Sequence, residues 1–157
     1  MMFKYLLISV TLFLLAAPLG AQEPTNCEYN ISLLTAAHQD AEEGGLIIAI
    51  SRLGDGETKQ ELHYRRLHNV RAFLAEYQKA RAPETIILAE GERAKGFGRV
   101  ELYVKGDLHS VMVLRRNADL PVGVCVYESQ AEAARGTERE QVLYPWRVEK
   151  ERKRRSR

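Results

Sequence analysis

Apolar positions recur along this chain with two different periods, and the period predicts the element. From Asn30 to Glu43, the positions Ile31, Leu34, His38 and Ala41 fall at helical spacing, and Gly44-Gly45 ends the run. Leu46 to Ile50 is a continuous apolar run that suits a buried strand. Arg52 to Glu57 holds Gly54, Asp55 and Gly56 and reads as a loop. The strongest helix spans about Thr58 to Ala80, with Leu62, Leu67, Val70, Phe73, Leu74 and Tyr77 as its stripe. Pro83 marks its exit, and Thr85 to Ala89 is a second strand.

Beyond a flexible Gly91–Gly98 connection the period changes to two. Val100, Leu102 and Val104 alternate with Arg99, Glu101, Tyr103 and Lys105, which predicts a half-exposed strand. Gly106-Asp107 turns the chain, and His109 to Leu114 returns as a hairpin. Val122 to Tyr127 is a last strand candidate, and Ser129 to Arg139 is Ala/Glu/Arg-rich and reads as a short helix. Two main helices can cover one face of such a sheet. The expected fold is an α/β two-layer sandwich with a mixed sheet.

The 157 residues suffice for one ordinary domain, and 45% hydrophobic with 28% charged residues is a globular composition. Two cysteines exclude a disulfide-dense mini-scaffold and a four-cysteine zinc site. Charge is uneven. Arg147 to Arg157 carries a net +5, whereas Gln22 to Trp146 carries −4. The basic tail has little apolar side chain to bury, so it is expected to be solvated or frayed. It reads either as a solubility device or as weak attraction to an anionic membrane surface or cell-wall polymer.

Met1 to Ala21 changes the compartment. Lys4 gives a positive start, Leu6 to Ala17 is an uncharged run of twelve residues, and Pro18-Leu19-Gly20-Ala21 offers a cleavage site before Gln22. This is the pattern of a signal peptide; the alternative is an uncleaved anchor, for which the run is short. Export to the periplasm or cell envelope argues against nucleic-acid binding. In an oxidising compartment Cys27 and Cys125 form an even pair, and a bridge would close a loop of nearly a hundred residues. The alternative is two separate buried thiols. With signal peptide and tail set aside, residues 22–146 are expected to form one α/β domain.

Reactive constellations are sparse. His63 and His68 are five apart and do not share a helix face as a metal pair would, so no metal is expected. No serine has a Gly-x-Ser-x-Gly context. The stretch Gly91 to Gly98 lacks the Gly-Lys-Ser/Thr end of a phosphate loop, and no cofactor is expected. Asp55 and Glu57 flank Gly56 and are the acids a small hydrolase would use. Tyr144-Pro145-Trp146 is an aromatic cluster that either packs on the body or presents a partner-binding edge.

One spaced pattern is more specific. Gly54, Leu62, Arg66, Val70 and Leu74 fall without a gap on a strand-end glycine followed by the helix pattern N-x-x-L-S-x-x-R-A-x-x-V-x-x-x-L. Downstream, Thr85 to Glu92 and Arg99 to Val104 look like the next strand with its glycine exit and a closing strand. Over roughly Ile31 to Lys105 the chain resembles the OmpA-like domain family, periplasmic domains that hold peptidoglycan. The resemblance implies a non-enzymatic envelope protein. In the family an Asp and the helix Arg grip the amino-acid end groups of diaminopimelate, the carboxylate pairing with ammonium and the guanidinium taking carboxylate in a fork.

The departures fall on that grip. Ser51 stands at the family's Asp, Lys59 at its Asn, His63 at its Ser and Leu67 at its small Ala. The resemblance assigns ligand contact to Arg66, with Ser51, Asp55 and Lys59 around the pocket mouth, and Asp55 or Glu57 as substitutes for the missing charge. The family's first strand is not evident; Val122 to Tyr127 would fill its place, stapled there by Cys27–Cys125. Two partners follow as expectations: peptidoglycan held weakly, or an envelope protein bound by a module that has lost the ligand.

Overall fold

The computed structural model describes residues 23–41, 45–77, 85–123, 125 and 138–156. The expected signal peptide lies outside them, as do most of Ser129–Arg139 and part of Val122–Tyr127.

Helix α1 (Cys27–Asp40) begins three residues before the predicted Asn30, because its start is set by a cap rather than by apolar spacing. The Asn26 side chain accepts a hydrogen bond from the Tyr29 amide at 2.8 Å. Strand β1 (Ile47–Arg52) follows, then helix α2 (Glu61–Ala72), which continues as a wider π-turn over Phe73–Tyr77. Strands β2 (Ile86–Glu90), β3 (Gly98–Val104) and β4 (Asp107–Leu114) complete the sheet.

The sheet has four strands in the order β2-β1-β3-β4. Strands β1 and β2 run parallel, Ile47 opposite Ile86, and α2 supplies the crossover that parallel neighbours need. Strand β3 is antiparallel to β1, with Ala49 opposite Leu102, and antiparallel to β4, with Val100 opposite Met112. The β3–β4 hairpin turns one residue earlier than predicted. Lys105 and Gly106 have φ of 56° and 92°, as the tightest hairpin loops require, and Asp107 already belongs to the strand.

Alternation sorts the sheet into two faces. Ile47, Ala49, Val100, Leu102, Met112 and Leu114 join one core with Leu34 and Ala37 of α1 and Leu67, Val70, Phe73 and Leu74 at α2. Each such large side chain contributes about 1.5–3 kcal/mol by leaving water. The result is an α/β architecture with a mixed sheet, compatible with the expected two-layer sandwich.

Two expectations are corrected. Beside β3 stand β1 and β4, and the described residues of the Val122–Tyr127 candidate, Val122, Gly123 and Cys125, lie outside the sheet. Strand β4 pairs with β3 because a two-residue turn joins them. The basic tail is not frayed throughout, because Pro145–Arg155 forms helix α3 although none of its residues is buried. Proline at its first position, a Glu149–Lys153 pair at 2.5 Å and four cations in its last turn all favour a helix without a core.

The C-terminal part docks on α2. His68 Nε2 and Val142 O lie 2.8 Å apart, and Asn69 donates to Leu143 O at 2.5 Å. Tyr144 is buried, its hydroxyl donating to Leu120 O at 2.9 Å and accepting from the Val122 amide at 3.1 Å. Trp146 donates to Asp119, which also meets Arg65 at 2.5 Å and Arg147 at 3.3 Å. The aromatic cluster therefore packs on the body. Cys27 and Cys125 are bridged with Cα atoms 5.6 Å apart, tying the first turn of α1 to the segment that follows β4.

Candidate functional site

The site grows from the loop after β1. Leu53 and Gly54 are buried, and Gly54 passes so close to the start of β3 that a Cβ there would lie 2.2 Å from Gly98 N. Asp55 staples the loop to the next connection. Its amide donates to Gly96 O at 2.7 Å, and its carboxylate accepts from the Gly96 amide at 2.7 Å. Gly56, with φ of 74°, reverses the chain and turns Glu57 inward.

Glu57 and Arg66 are both fully buried. Arg66 Nη1 donates to Glu57 Oε2 at 2.9 Å and Nη2 donates to Oε1 at 2.5 Å, a fork-to-fork pair. Oε2 also accepts from the Gly54 amide at 2.8 Å, and Oε1 from the Asn117 amide at 2.7 Å. Each carboxylate oxygen thus takes two donors, the full capacity of the group. Arg66 Nε donates to Ala118 O at 3.0 Å. Arg93 closes the loop from outside by donating to Gly54 O at 2.9 Å and Glu57 O at 2.6 Å.

Burial pushes the Glu57 carboxyl up, but the Arg66 guanidinium and the Gly54 and Asn117 amides outweigh it and hold the group below the ordinary carboxylate range. A buried charge pair survives desolvation only with this degree of hydrogen bonding.

Arg66 makes these bonds to Glu57 and Ala118, and none to Ser51, Asp55 or Lys59. Ser51 is fully buried, and its hydroxyl has no hydrogen-bond partner among the described residues. Asp55 and Lys59 are exposed. A cleft of about 490 Å³ is lined by residues including Thr25, Asn26, Arg115, Asn117, Asp119 and Arg147, and Arg66 is not among its lining residues. Glu57, weighed from the sequence as a substitute partner for a ligand, serves Arg66 instead. Asn117 and Asp119 are not singled out by the sequence, and Arg93 only as part of the Gly91–Gly98 stretch; the available hint at Asn117 is its residue type, which tolerates the φ of 58° it adopts.

In comparisons with protein families, curated proteins and solved structures, none matches this chain.

Two coarser properties bear on where the chain works. A structural disulfide such as Cys27–Cys125 belongs to oxidising, exported environments rather than the reducing cytosol. No helix among the described residues is long and apolar enough to cross a membrane, and none of their His, Cys, Asp and Glu side chains cluster in threes to hold a metal.

Proposed function

We propose that this chain is an exported, non-enzymatic envelope protein whose divergent OmpA-like domain is a protein-interaction module that has lost its peptidoglycan ligand. One observation carries this: Glu57 occupies both prongs of the Arg66 fork inside the folded chain. In the family that the sequence resembles, that fork receives a carboxylate of diaminopimelate. Here a carboxylate of the chain itself is already there. The other half of the grip falls on Ser51, which is uncharged and buried. A ligand carboxylate would have to displace Glu57 and strand it, at a cost of about 3–5 kcal/mol for breaking a buried pair.

The same saturation supports a non-enzymatic reading. A carboxylate whose two oxygens already accept four hydrogen bonds has no lone pair left for a water or a substrate. Helix α3 adds weak, salt-sensitive attraction to anionic membrane surfaces.

Sedimentation of the mature chain, residues 22–157, with purified sacculi tests this reading. We expect no retention that free diaminopimelate competes away. Retention released by free diaminopimelate would overturn the reading in favour of cell-wall binding. Retention lost only on deletion after Trp146 would be charge attraction by α3, which the reading accommodates.

A further inference from the structure

The sheet face away from α1 and α2 is apolar at its borders and charged at its centre. Strand alternation and pairing put Ile48, Ile50, Ile87, Val111 and Leu108 on this face: Ile48 lies opposite Ile87, Ile50 and Val111 both oppose Glu101, and Leu108 opposes Tyr103. Ile87 is 45% exposed and Leu108 54%. Ile87 and Leu108 stand on the two edge strands with half-buried Ile48, Ile50 and Val111 between them, and an apolar face of this kind can serve as a contact surface.

At the centre, Glu101 is buried beneath two arginines. It accepts from Arg52 Nε at 2.9 Å, from Arg99 Nε at 2.7 Å and from the Tyr103 hydroxyl at 3.1 Å. Arg52 Nη1 reaches Glu92 O at 3.3 Å. Arg52 also meets the Tyr103 side chain, whereas Arg99 bonds Glu101 through Nε and leaves its Nη groups outward; the two side chains are 23% and 35% exposed. Two guanidiniums thus share one carboxylate, which holds them in place and leaves donors and one net positive charge facing outward.

We propose that this face docks a segment of a partner protein whose apolar side carries a carboxylate, received by the outward Nη donors of Arg99 beside Arg52. This rests on the protein-interaction reading and names its surface. Charge selects the occupant. A second copy related by a two-fold axis through the cluster would set the cationic centre against itself, and like charges brought together are costly. A wholly apolar partner would bury guanidinium donors without acceptors, which is costly as well. An acid set among apolar side chains satisfies both the border and the centre, and it can take arginine donors in pairs.

The test uses isotope-labelled mature protein and two blocked peptides alternating leucine and threonine, one with a central aspartate and one with asparagine there. We expect the aspartate peptide to shift the backbone amides of Ile48, Ile50, Arg99 and Val111 and to bind about fivefold tighter than the asparagine peptide, the scale of one partly exposed charge pair. Arg99→Gln should remove that difference while the spectrum stays dispersed, and Arg71→Gln on α2 should leave it intact. Equal affinities, shifts confined to other surfaces, or no shifts at all would overturn the proposal. Sacculus retention released by diaminopimelate would instead overturn the functional reading and leave the peptide result standing, so the two failures are distinguishable.

Discussion

Glu57 and Arg66 meet through two parallel hydrogen bonds of 2.5 and 2.9 Å, and neither side chain reaches solvent. Removing either partner leaves the other charged and buried. We expect Arg66→Met and Glu57→Leu each to cost about 3–5 kcal/mol. The double variant Glu57→Leu/Arg66→Met should cost much less than the sum of the two single losses, because no charge is stranded. Urea denaturation midpoints of the four proteins measure this. Single losses that simply add would show that the pair is not coupled.

Acid should destabilise the fold through two carboxylates. At Glu57 and at Glu101, burial raises the pKa but hydrogen bonds from arginine and other donors outweigh it, so both lie below the ordinary value. As pH falls through the ordinary carboxylate range, the unfolded chain takes up protons first. The contribution of these groups is therefore complete above about pH 4.5 and declines below it, down through the folded values. We expect a denaturation midpoint that is flat from about pH 7 to pH 5.5 and falls below about pH 4.5, more shallowly in Glu57→Gln. A midpoint that rises on acidification would contradict this.

The pair also dictates a glycine. A Cβ at Gly98 would lie 2.3 Å from Glu57 Oε2 and 2.7 Å from Arg66 Nη1, whereas nothing lies within 4 Å of one at Gly96. Gly98→Ala should lose about 1–3 kcal/mol by overpacking. Gly96→Asn should lose less than about 1 kcal/mol, because asparagine tolerates positive φ. Thermal melts of the two variants separate them, and equal losses would mean that the ion pair can move aside.

Reduction of the disulfide removes a cross-link between residues 98 apart. The chain-entropy account gives a loss of about 4–5 kcal/mol. Cys27→Ser/Cys125→Ser should lower the urea midpoint accordingly, and hydrogen exchange should quicken first in the opening turns of α1. An unchanged midpoint would mean that the bridge constrains nothing the fold does not already hold.

Periodicity located α2 and the strands because their buried stripes are local: Leu62 and Val70 on the helix, Val100, Leu102 and Val104 on β3. It placed α1 late because Asn26 supplies a cap that apolar spacing does not register. It gave the C-terminal segment no structure because α3 has no apolar side to read, and its helix rests on proline, ion pairing and charge at its end. Arg66 stands four residues after Leu62 and four before Val70, inside the apolar stripe, and that position already signalled burial. What fills its fork was not legible. Glu57 comes from a loop nine residues back, and the Asn117 amide that completes it lies 60 residues beyond Glu57 in sequence.

The central claim is that Arg66 is occupied from within, and its own guanidinium reports on this most directly. In isotope-labelled mature protein, the Nε–H signal of Arg66, donated to Ala118 O, should be slow to exchange with solvent. We expect it to stay unmoved on titration with free diaminopimelate, in the wild type, with Glu57 still bound. A saturable shift of that signal, matched by faster exchange of the Asn117 amide as Glu57 leaves, would contradict the account and make the site an open clamp.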